Sequence, residues 1–462
     1  MRSVVCGLVV LLLTGCSVGP DYVRPDSASP ASWQVEYQAA ADLANTRWWQ
    51  QFNDPVLDEL LEAAVRGNLD LMQATAKVSQ YLGALDTARS QQYPQLGAGF
   101  DAGAQRGGGT VTESYQAALN ATWELDLWGK LRRSNEAALA QLVGTEAGRR
   151  GVLVSLVANV AGGYITLRGL DRQLEIARDT EQVYAESLKL FQLRFKYGTI
   201  SQLELSQAES QYESARQTVP SYESLIRQQE NLLSLLLGRA PGAIPRGKPL
   251  DKLVPPGIPA GLPSTLLERR PDIMEAEQAL IAANARIGVA RAAWFPSLNL
   301  TGALGTASSD IGSLFTPGAY VWSAGGQLLA PLLTFGKIAG QVKQAEALQQ
   351  QALYRYQQSL LTAFREVEDA LIKTSKGKEQ LEALKRQVRS LEEYARIARL
   401  QFEAGTSSYL QVLDAERSLF TGRLNQAQTG YDQLVSLISV YKAMGGGWIN
   451  EADRLQGEKV SP

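Results

Sequence analysis

Residues 402–414 of the sequence read FEAGTSSYLQVLD, and residues 195–207 read FKYGTISQLELSQ, a related stretch 207 residues earlier. In each copy a long helical pattern runs into a Gly-Thr pair, Gly405-Thr406 or Gly198-Thr199, and a second helical pattern follows. Glycine is a common residue directly after a helix, because it adopts a left-handed backbone conformation without strain. Both stretches therefore predict a tight turn between two helices, and the chain looks like one hairpin built twice.

The repeat covers most of the chain. Residues 66–94 match residues 268–296 at a constant offset of 202, and from Trp128-Gly129 onward, which matches Phe335-Gly336, the offset is 207. A period of about 200 residues indicates a duplicated domain rather than a short solenoid repeat. We expect a first repeat at 56–238, a linker at 239–262, a second repeat at 263–445 and a polar tail at 446–462.

Composition excludes several classes of function. The 462 residues carry a net charge of -2 and no basic stripe, so a nucleic-acid partner is not expected. Histidine is absent, and the cysteines are Cys6 and Cys16, so the usual general base, metal ligands and thiol nucleophile are missing. We predict no catalytic residue, no metal site and no cofactor. An envelope hydrolase using paired carboxylates such as Glu366 and Asp369 is a formal alternative.

The first segment is an export signal. A basic start is followed by an apolar run at residues 4–13, about half of the ~20 residues that a membrane-spanning helix needs. Residues 13–16, LTGC, resemble the bacterial lipobox, which implies cleavage after residue 15 and lipidation of Cys16. Ser17 then implies sorting to the outer membrane. A plain signal peptide with an incidental cysteine is the alternative.

The longest pattern is helical. Residues 131–196 contain no proline, and a continuous helix of that length would extend about 100 Å at ~1.5 Å per residue. In the second repeat two apolar seams run along the equivalent helix, which implies a neighbour on each side. A rod-like coiled coil would also satisfy this pattern. Pro220 is expected to interrupt the first returning helix, and Asp54-Pro55 is expected to start the first helix of the repeat.

The middle of each repeat alternates larger apolar residues with glycine or polar residues. This period of two predicts β-hairpins at 95–125 and 297–332, with strands of the length found in outer-membrane barrels. A soluble hairpin cap is the alternative. Four strands cannot close a barrel, and open edges are not tolerated in lipid, so a membrane location requires several copies. Two, three or four copies would give 8, 12 or 16 strands.

Several short motifs follow one another in the order that they have in one known family. They are Cys16, Pro20-Asp21-Tyr22, Trp48-Trp49, Asp54-Pro55 and Asn68-Leu69-Asp70. From Cys16 to about Trp448 the chain resembles the TolC/OprM-type outer membrane efflux proteins, and within them the lipoprotein, NodT-like branch. The resemblance implies an α+β, mostly α fold. It also implies a homotrimer with one 12-stranded outer-membrane β-barrel, four strands per chain, continued by a long periplasmic α-helical barrel. Residues 16–55 would form a lipid-anchored extended strap.

The resemblance also implies a function. The chain would be the exit duct of a tripartite efflux system in the outer membrane of a Gram-negative bacterium, anchored in outer-membrane lipid. An inner-membrane transporter would supply the energy, and a periplasmic adaptor would meet the turns formed by Gly198, Thr199, Gly405 and Thr406. The competing interpretation is a lipid-anchored periplasmic coiled-coil spacer or adaptor without a pore.

The family places acidic residues just after the second turn, around the periplasmic aperture, which implies a gate at Asp414. Gln411 stands where relatives can carry a second aspartate, and Glu204 is its counterpart in the first repeat. The tyrosine and arginine of some relatives are not matched at Phe402 and Ser407. The alternative is that Asp414 is an ordinary solvated helix residue.

Overall fold

The structure, a computed structural model, describes residues 17–25, 47–258 and 269–446. The export signal, Cys16, most of the predicted strap and the polar tail after residue 446 lie outside these ranges. Within them the α-helices are α1 (Pro55–Gly67), α2 (Leu69–Ser90), α3 (Lys130–Lys196), α4 (Gln202–Arg216), α5 (Thr218–Leu236), α6 (Pro271–Ala292), α7 (Lys337–Glu403) and α8 (Tyr409–Ala443). Helices α3 and α7 each have 67 residues, which confirms the predicted long helices.

Four antiparallel strands form one sheet in the order β1-β2-β3-β4. They are β1 (Gln95–Gly107), β2 (Thr110–Leu125), β3 (Ser297–Ser308) and β4 (Tyr320–Leu329). The period-two pattern thus predicted both hairpins, although β4 ends at Leu329, before the expected residue 332. Every residue of the two edge strands, β1 and β4, is exposed.

The two hairpins have the same register. Adding 202 to a β1 residue and 207 to a β2 residue converts the ten β1–β2 pairs from Gln95–Thr122 to Ala104–Glu113 into the ten β3–β4 pairs, and the last three β1–β2 pairs have no counterpart. Gln95 opposite Thr122 becomes Ser297 opposite Leu329, for example. The offsets found by comparing the two halves of the sequence therefore hold at the level of individual backbone pairs.

The described residues fall into two compact units. The first contains residues 17–25, 74–148 and 272–360, and so it holds the whole sheet. The second contains residues 47–73, 149–258, 269–271 and 361–446. Each unit takes chain from both repeats, so the duplication in sequence is not a division into two separately packed halves.

The second unit has a large apolar core. Asp54 caps α1 by accepting a hydrogen bond from the Val56 amide at 3.1 Å, with Pro55 at the first helical position, as predicted. Trp48 and Trp49 are buried in this core, and Trp48 stacks on Tyr441 with ring centroids 4.8 Å apart. The aromatic pair therefore packs the protein interior.

One stretch of α3 would be long and apolar enough to cross a membrane by length and composition. More than half of that stretch is buried, and the apolar residues of α3 between Leu153 and Leu170 belong to the core of the second unit. The stretch is therefore part of a protein core. A second expectation also holds, because the first returning helix is interrupted at Gln217, three residues before Pro220.

The structure describes residues 17–25 and 47–55 of the predicted strap. The second part is not extended, because Trp48–Phe52 forms a 3-10 helix whose aromatic side chains are buried in the second unit. The first part, residues 17–25, lies in the first unit against α3 and α6. The Arg133 guanidinium donates to Asp21 at 2.5 Å, and the side-chain amide of Asn284 donates to the Pro20 carbonyl at 2.9 Å. The Val18 amide donates to the Trp128 carbonyl at 3.0 Å, where β2 passes into α3. The strap is thus held by specific bonds from both repeats.

Candidate gate and tip turns

Residues 197–200 and 404–407, here called the tip turns, have the same backbone geometry. Gly198 and Gly405 both have φ of 70°. The Thr199 amide donates to the Arg194 carbonyl and the Thr406 amide to the Gln401 carbonyl, both at 2.9 Å. This bond closes a Schellman motif, in which a left-handed residue ends a helix, and glycine adopts it without strain. The predicted helix-to-helix turns are confirmed.

The tip-turn threonines also have a local role. The Thr199 hydroxyl donates to the Arg194 carbonyl at 2.9 Å, and the Thr406 hydroxyl donates to the Gln401 carbonyl at 3.0 Å. Each threonine therefore gives two hydrogen bonds to one carbonyl at the end of the preceding helix, which would otherwise lack an intrahelical partner. These bonds satisfy the last turn of each long helix, and the role of the turns in docking stays a prediction.

The helices that return from the tip turns begin differently. In the first, Ser201 and Glu204 form a capping box: Ser201 accepts from the Glu204 amide at 3.3 Å, and the Glu204 carboxylate accepts from the Ser201 amide at 2.7 Å. In the second, Ser408 makes no side-chain cap, and Gln411 stands where the first has Glu204. Glu204, predicted as a gate residue, thus has a structural partner within its own hairpin.

An aromatic and aliphatic cluster lies beneath both tip turns. Phe191 from α3, Phe402 from α7 and Tyr409 from α8 pack together, and the Phe191 and Tyr409 ring centroids are 4.1 Å apart. Burial raises the pKa of the Tyr409 hydroxyl, so it stays neutral. This cluster packs the two hairpins against each other beneath the tip turns.

Asp414 lies on the exposed face of α8, with 53% of its side chain accessible. The Tyr394 hydroxyl of α7 donates to its carboxylate at 3.4 Å, and the Arg417 guanidinium lies 3.6 Å away. Gln411 is exposed one helical turn earlier on the same helix. The structure therefore places Asp414 and Gln411 together on α8, and Glu204 in the other hairpin.

Two of these partners were not predicted. Arg417 is three residues after Asp414, so its position on the same helical face was readable from the sequence. Tyr394 is 20 residues before Asp414, and its approach depends on the register of α7 against α8, which no local pattern specifies. A tyrosine and an arginine thus do flank the acidic residue, from positions other than Phe402 and Ser407.

A charged ladder continues from the tip along α7 and α8. Arg399 binds the buried Glu416, and Arg423 binds Glu392 at 2.8 Å. Burial, with a smaller contribution from Glu416, raises the pKa of the nearby Tyr184 hydroxyl to about 12. Both pairs join α7 to α8 in the same register that brings Tyr394 to Asp414. Among the described residues, no cluster of acidic side chains is arranged to hold a metal ion.

The chain matches the model of the family described as "Outer membrane efflux protein" over residues 60–239 and 262–446, the two repeats with the linker left out. It is 38% identical over 449 residues to the "Cation efflux system protein CusC" of Escherichia coli O6:H1, covering 95% of this chain and 97% of the relative. It is 35% identical over 450 residues to the "Probable outer membrane lipoprotein SilC" of Salmonella typhimurium, covering 95% and 97%.

Solved structures agree over nearly the whole length. A crystal structure of CusC matches with a TM-score of 0.85 and 36% identity, covering 94% of this chain and 100% of that one. The open state of the Neisseria gonorrhoeae MtrE outer membrane channel matches with a TM-score of 0.86 and 32% identity, covering 94% and 99%. The fold is thus that of an outer-membrane efflux channel, and the chain belongs to the outer membrane efflux protein family.

Proposed function

We propose that this protein is the passive outer-membrane exit channel of a tripartite efflux system. It receives substrates from an inner-membrane transporter through a periplasmic adaptor, and it performs no catalysis itself. The observation that carries this proposal is the four-stranded sheet with exposed residues along both edge strands, in a chain with two 67-residue helices. Substrate selection is assigned to the transporter, because a wide duct selects weakly.

The channel is a homotrimer. Unpaired peptide groups at a sheet edge cost several kcal/mol each in lipid, so β1 and β4 each require a strand from another copy. Three copies of four strands give the 12-stranded barrel implied by the family. The tip turns, with Gly198, Thr199, Gly405 and Thr406, form the surface that the adaptor meets.

Cys16 is the lipid attachment site. Two contacts place the beginning of the described chain at the junction of β2 and α3. The Val18 amide bonds to the Trp128 carbonyl, and Ser17 lies so close to Gly129 that a Cβ atom there would be 3.0 Å from its Cα. A junction between strand and periplasmic helix is where acyl chains on the preceding residue would enter the membrane. The name of SilC supports this assignment.

Asp414 is the principal gate residue, with Gln411 and Glu204 as secondary members. Threefold symmetry brings three Asp414 carboxylates around one aperture, and such a ring attracts cations while its members repel one another. The bond from Tyr394 and the proximity of Arg417 hold each carboxylate in place. Opening then requires α7 and α8 to separate from their neighbours rather than a local rotamer change.

Single-channel conductance in planar bilayers tests both the channel and its gate. We expect the wild-type protein to run as a heat-resistant trimer and to conduct with cation preference. Asp414→Ala should raise the conductance and reduce the cation preference. Gln207→Ala, at the counterpart position in the first repeat, is the matched control and should change neither.

The experiment can contradict the channel function and the position of the gate separately. A protein that is monomeric and forms no conducting pores would instead be a periplasmic spacer. A conducting trimer in which Asp414→Ala and Gln207→Ala both behave as wild type would remain a channel, and the gate would have to be placed elsewhere.

A further inference from the structure

We propose that the groove between α3 and α6 is a peptide-recognition site for residues 18–24 of the same chain, and that subunits assemble into the trimer only when this site is filled. The inference rests on the trimer proposed above. It gives a role to the Pro20-Asp21-Tyr22 motif, which the channel function leaves unexplained. Residues 18–24 are called the docking peptide, and the docking groove consists of Arg133, Glu277, Asn284 and Gly288.

The docking peptide crosses α6 at a point where neither segment has a side chain. Gly19 has φ of 112°, and a Cβ atom placed on it would lie 2.5 Å from the Cα of Gly288. A Cβ atom on Gly288 would in turn lie 2.7 Å from the Val18 carbonyl oxygen. Both contacts are with backbone atoms, which cannot turn aside as a flexible side chain can. The crossing therefore requires glycine at both positions.

From this crossing the docking peptide follows α6 towards the beginning of the helix. The side-chain amide of Asn284, one turn before Gly288, donates to the Pro20 carbonyl at 2.9 Å. Residues 277 and 288 are about 16 Å apart along the helix at ~1.5 Å per residue, and residues 19–24 span about 16 Å when extended at ~3.3 Å per residue. The peptide and the groove therefore match in length.

The side chains of the docking peptide alternate as those of an extended chain do. The Tyr22 hydroxyl donates to the Glu277 carboxylate at 3.1 Å, and the Arg24 guanidinium donates to the same carboxylate at 2.5 Å. Val23, between them, is 81% exposed. Burial, and then the charge of Glu277, raise the pKa of the Tyr22 hydroxyl, so it remains a donor. One carboxylate thus recognises two side chains at a spacing of two residues.

The side chains of the groove are buried and bond to the peptide. Arg133 of α3, whose side chain is 8% exposed, donates to Asp21 at 2.5 Å. Glu277 is 12% exposed at its side chain, and Asn284 is 7% exposed. Buried polar groups are costly unless they are hydrogen-bonded, and the docking peptide supplies a partner to each of these three. The groove is therefore complete only when the peptide is in place.

The duplication shows that the helices themselves do not need the groove residues. Helices α2 and α6 both have 22 residues, and α3 and α7 both have 67. The other repeat lacks every side chain of the groove at the matching positions, which are Gly340 for Arg133, Thr75 for Glu277, Leu82 for Asn284 and Asp86 for Gly288. Equivalent helices thus form without these residues, so the four residues serve the docking peptide.

Filling the groove connects the two repeats next to the proposed lipid anchor. The Val18 amide bonds to the Trp128 carbonyl just before α3, whereas three of the four groove residues are on α6. Strand β2 leads into α3, and β3 follows α6. These two strands are the inner neighbours of the sheet. A filled groove therefore holds together the helices that continue the two inner strands, and this makes assembly of the barrel depend on it.

A charge exchange tests the recognition. Arg24→Glu and Glu277→Arg each bring like charges together, and each should reduce the amount of heat-resistant trimer in native membranes at least tenfold. The double variant restores an ion pair and should recover at least half of the wild-type amount. Incorporation of labelled palmitate should be unchanged, because Cys16 is intact. Glu346→Arg is the control, since Glu346 pairs with Arg291 at 2.8 Å outside the groove, and it should change the amount less than twofold.

A peptide supplied in trans separates recognition from a general folding defect. The full-length variant Asp21→Ser/Tyr22→Ser/Arg24→Ser keeps its anchor and length but lacks the side chains that the groove binds. A synthetic peptide with the sequence of residues 17–25, added during refolding in detergent, should restore trimers. A fluorescent copy should bind the triple variant and not the wild-type protein, whose groove is filled. A peptide with the same residues in scrambled order should do neither.

Two results would overturn the proposal. One is a wild-type amount of trimer in both Arg24→Glu and Glu277→Arg, because assembly would then not depend on the groove. The other is a defective double variant together with a triple variant that does not respond to the peptide. A wild-type protein that forms no trimers would instead contradict the channel function, while binding of the fluorescent peptide to the triple variant would still demonstrate the recognition site.

Discussion

Glu204 and Gln411 occupy the same position in the two repeats, and the difference between their side chains decides how firmly each returning helix begins. The Glu204 carboxylate completes a capping box with Ser201, whereas Ser408 caps nothing. An N-terminal cap contributes roughly 1 kcal/mol to the helix that it begins. We therefore expect the second tip, whose returning helix carries Asp414, to open more easily than the first.

This difference predicts unequal effects of the same substitution. Ser201→Ala should weaken the first turn of α4 by about 1 kcal/mol, because it removes the bond that the Ser201 hydroxyl accepts from the Glu204 amide and the bond that it donates to the Glu204 carboxylate. Ser408→Ala, the matched control, should change the first turn of α8 by much less. Hydrogen exchange of the amides at residues 202–206 and 409–413 measures this directly. Equal loss of protection at the two tips would contradict the assignment.

The reverse substitution should close the second tip. Gln411→Glu would place a carboxylate where Glu204 stands in the first repeat, so it can accept a bond from the Ser408 amide. We expect slower exchange at residues 409–413 and fewer open events in single-channel recordings. Gln411→Met, which has a similar length and no carboxylate, is the control. An open probability that rises with Gln411→Glu would indicate that carboxylate repulsion outweighs the cap.

Contacts at the candidate site could be predicted from the sequence where the two residues lie close together in the chain. The capping box was present in the sequence as Ser201 followed three residues later by Glu204, the usual signature of a helix start. The family resemblance nevertheless indicates only a gate role for Glu204. The bond from Tyr394 to Asp414 could not be predicted, because it depends on the packing of two helices over a separation of 20 residues.

Among the secondary-structure elements and their connections, the linker between the repeats is held within the second unit by several hydrogen bonds, and Arg246 makes the charged ones. Arg246 binds Glu230 of α5, and its Nε donates to Asp171 of α3 at 3.1 Å. The Ile244 amide adds a bond to Glu230 at 3.4 Å. Burial alone would raise the pKa of Glu230, whose side chain is 4% exposed, but the bonds from Arg246 outweigh it and the pKa is lowered.

The linker should therefore loosen in acid. A carboxylate whose pKa is lowered by folding stabilises the folded state above its unfolded value, here about 4.5, and that contribution is lost as the pH falls through the folded value. Protection factors for the amides of residues 244–248 should fall below about pH 4.5. Glu230→Gln should remove most of this pH dependence and lower protection at neutral pH.

Glu223→Gln is the control for the linker experiment. Glu223 pairs with Arg178 at 2.6 Å, but both side chains are about half exposed, and such pairs contribute roughly 0–1 kcal/mol. We expect the pH profile of residues 244–248 to be unchanged in this variant. A Glu230→Gln protein that keeps the wild-type acid transition would show that another group releases the linker.

The bounds of elements whose apolar residues recur at a regular spacing were predicted almost to the residue. Helix α3 was expected from 131 to 196 and is Lys130–Lys196, because no proline interrupts its pattern, and the helix continues through Gly162-Gly163. The short 3-10 helices at Ile311–Ser313 and Pro317–Ala319 were not predicted, since three residues are too few to show a period. The composition of the two compact units was also not predicted, because it follows from packing between repeats rather than from their order.

In the whole molecule, the exposed edges of the sheet and the duplicated register separate two kinds of contact. Contacts of the first kind fold one subunit, and contacts of the second kind join three subunits. Contacts of the first kind are already made inside the chain, such as Trp128 on Phe295. Contacts of the second kind are their counterparts, such as Phe335, which is exposed in the isolated chain. A residue that joins subunits, such as Phe335, thus has a counterpart at the same position of the other repeat that folds one subunit.

This pairing leads to a prediction about two equivalent aromatic residues. Phe335→Ala should leave the subunit folded but lower the temperature at which the trimer dissociates in detergent, because each interface loses a ring whose burial contributes about 1.5–3 kcal/mol. Trp128→Ala should instead reduce the amount of folded subunit in the membrane, since it removes a stack and a hydrogen bond within one chain. Dissociation temperature on denaturing gels and membrane yield separate the two effects. Phe335→Ala could instead lower the membrane yield while the remaining trimers dissociate at the wild-type temperature. That result would show that Phe335 acts within its own subunit. The equivalence between contacts that fold a subunit and contacts that join subunits would then fail at this position.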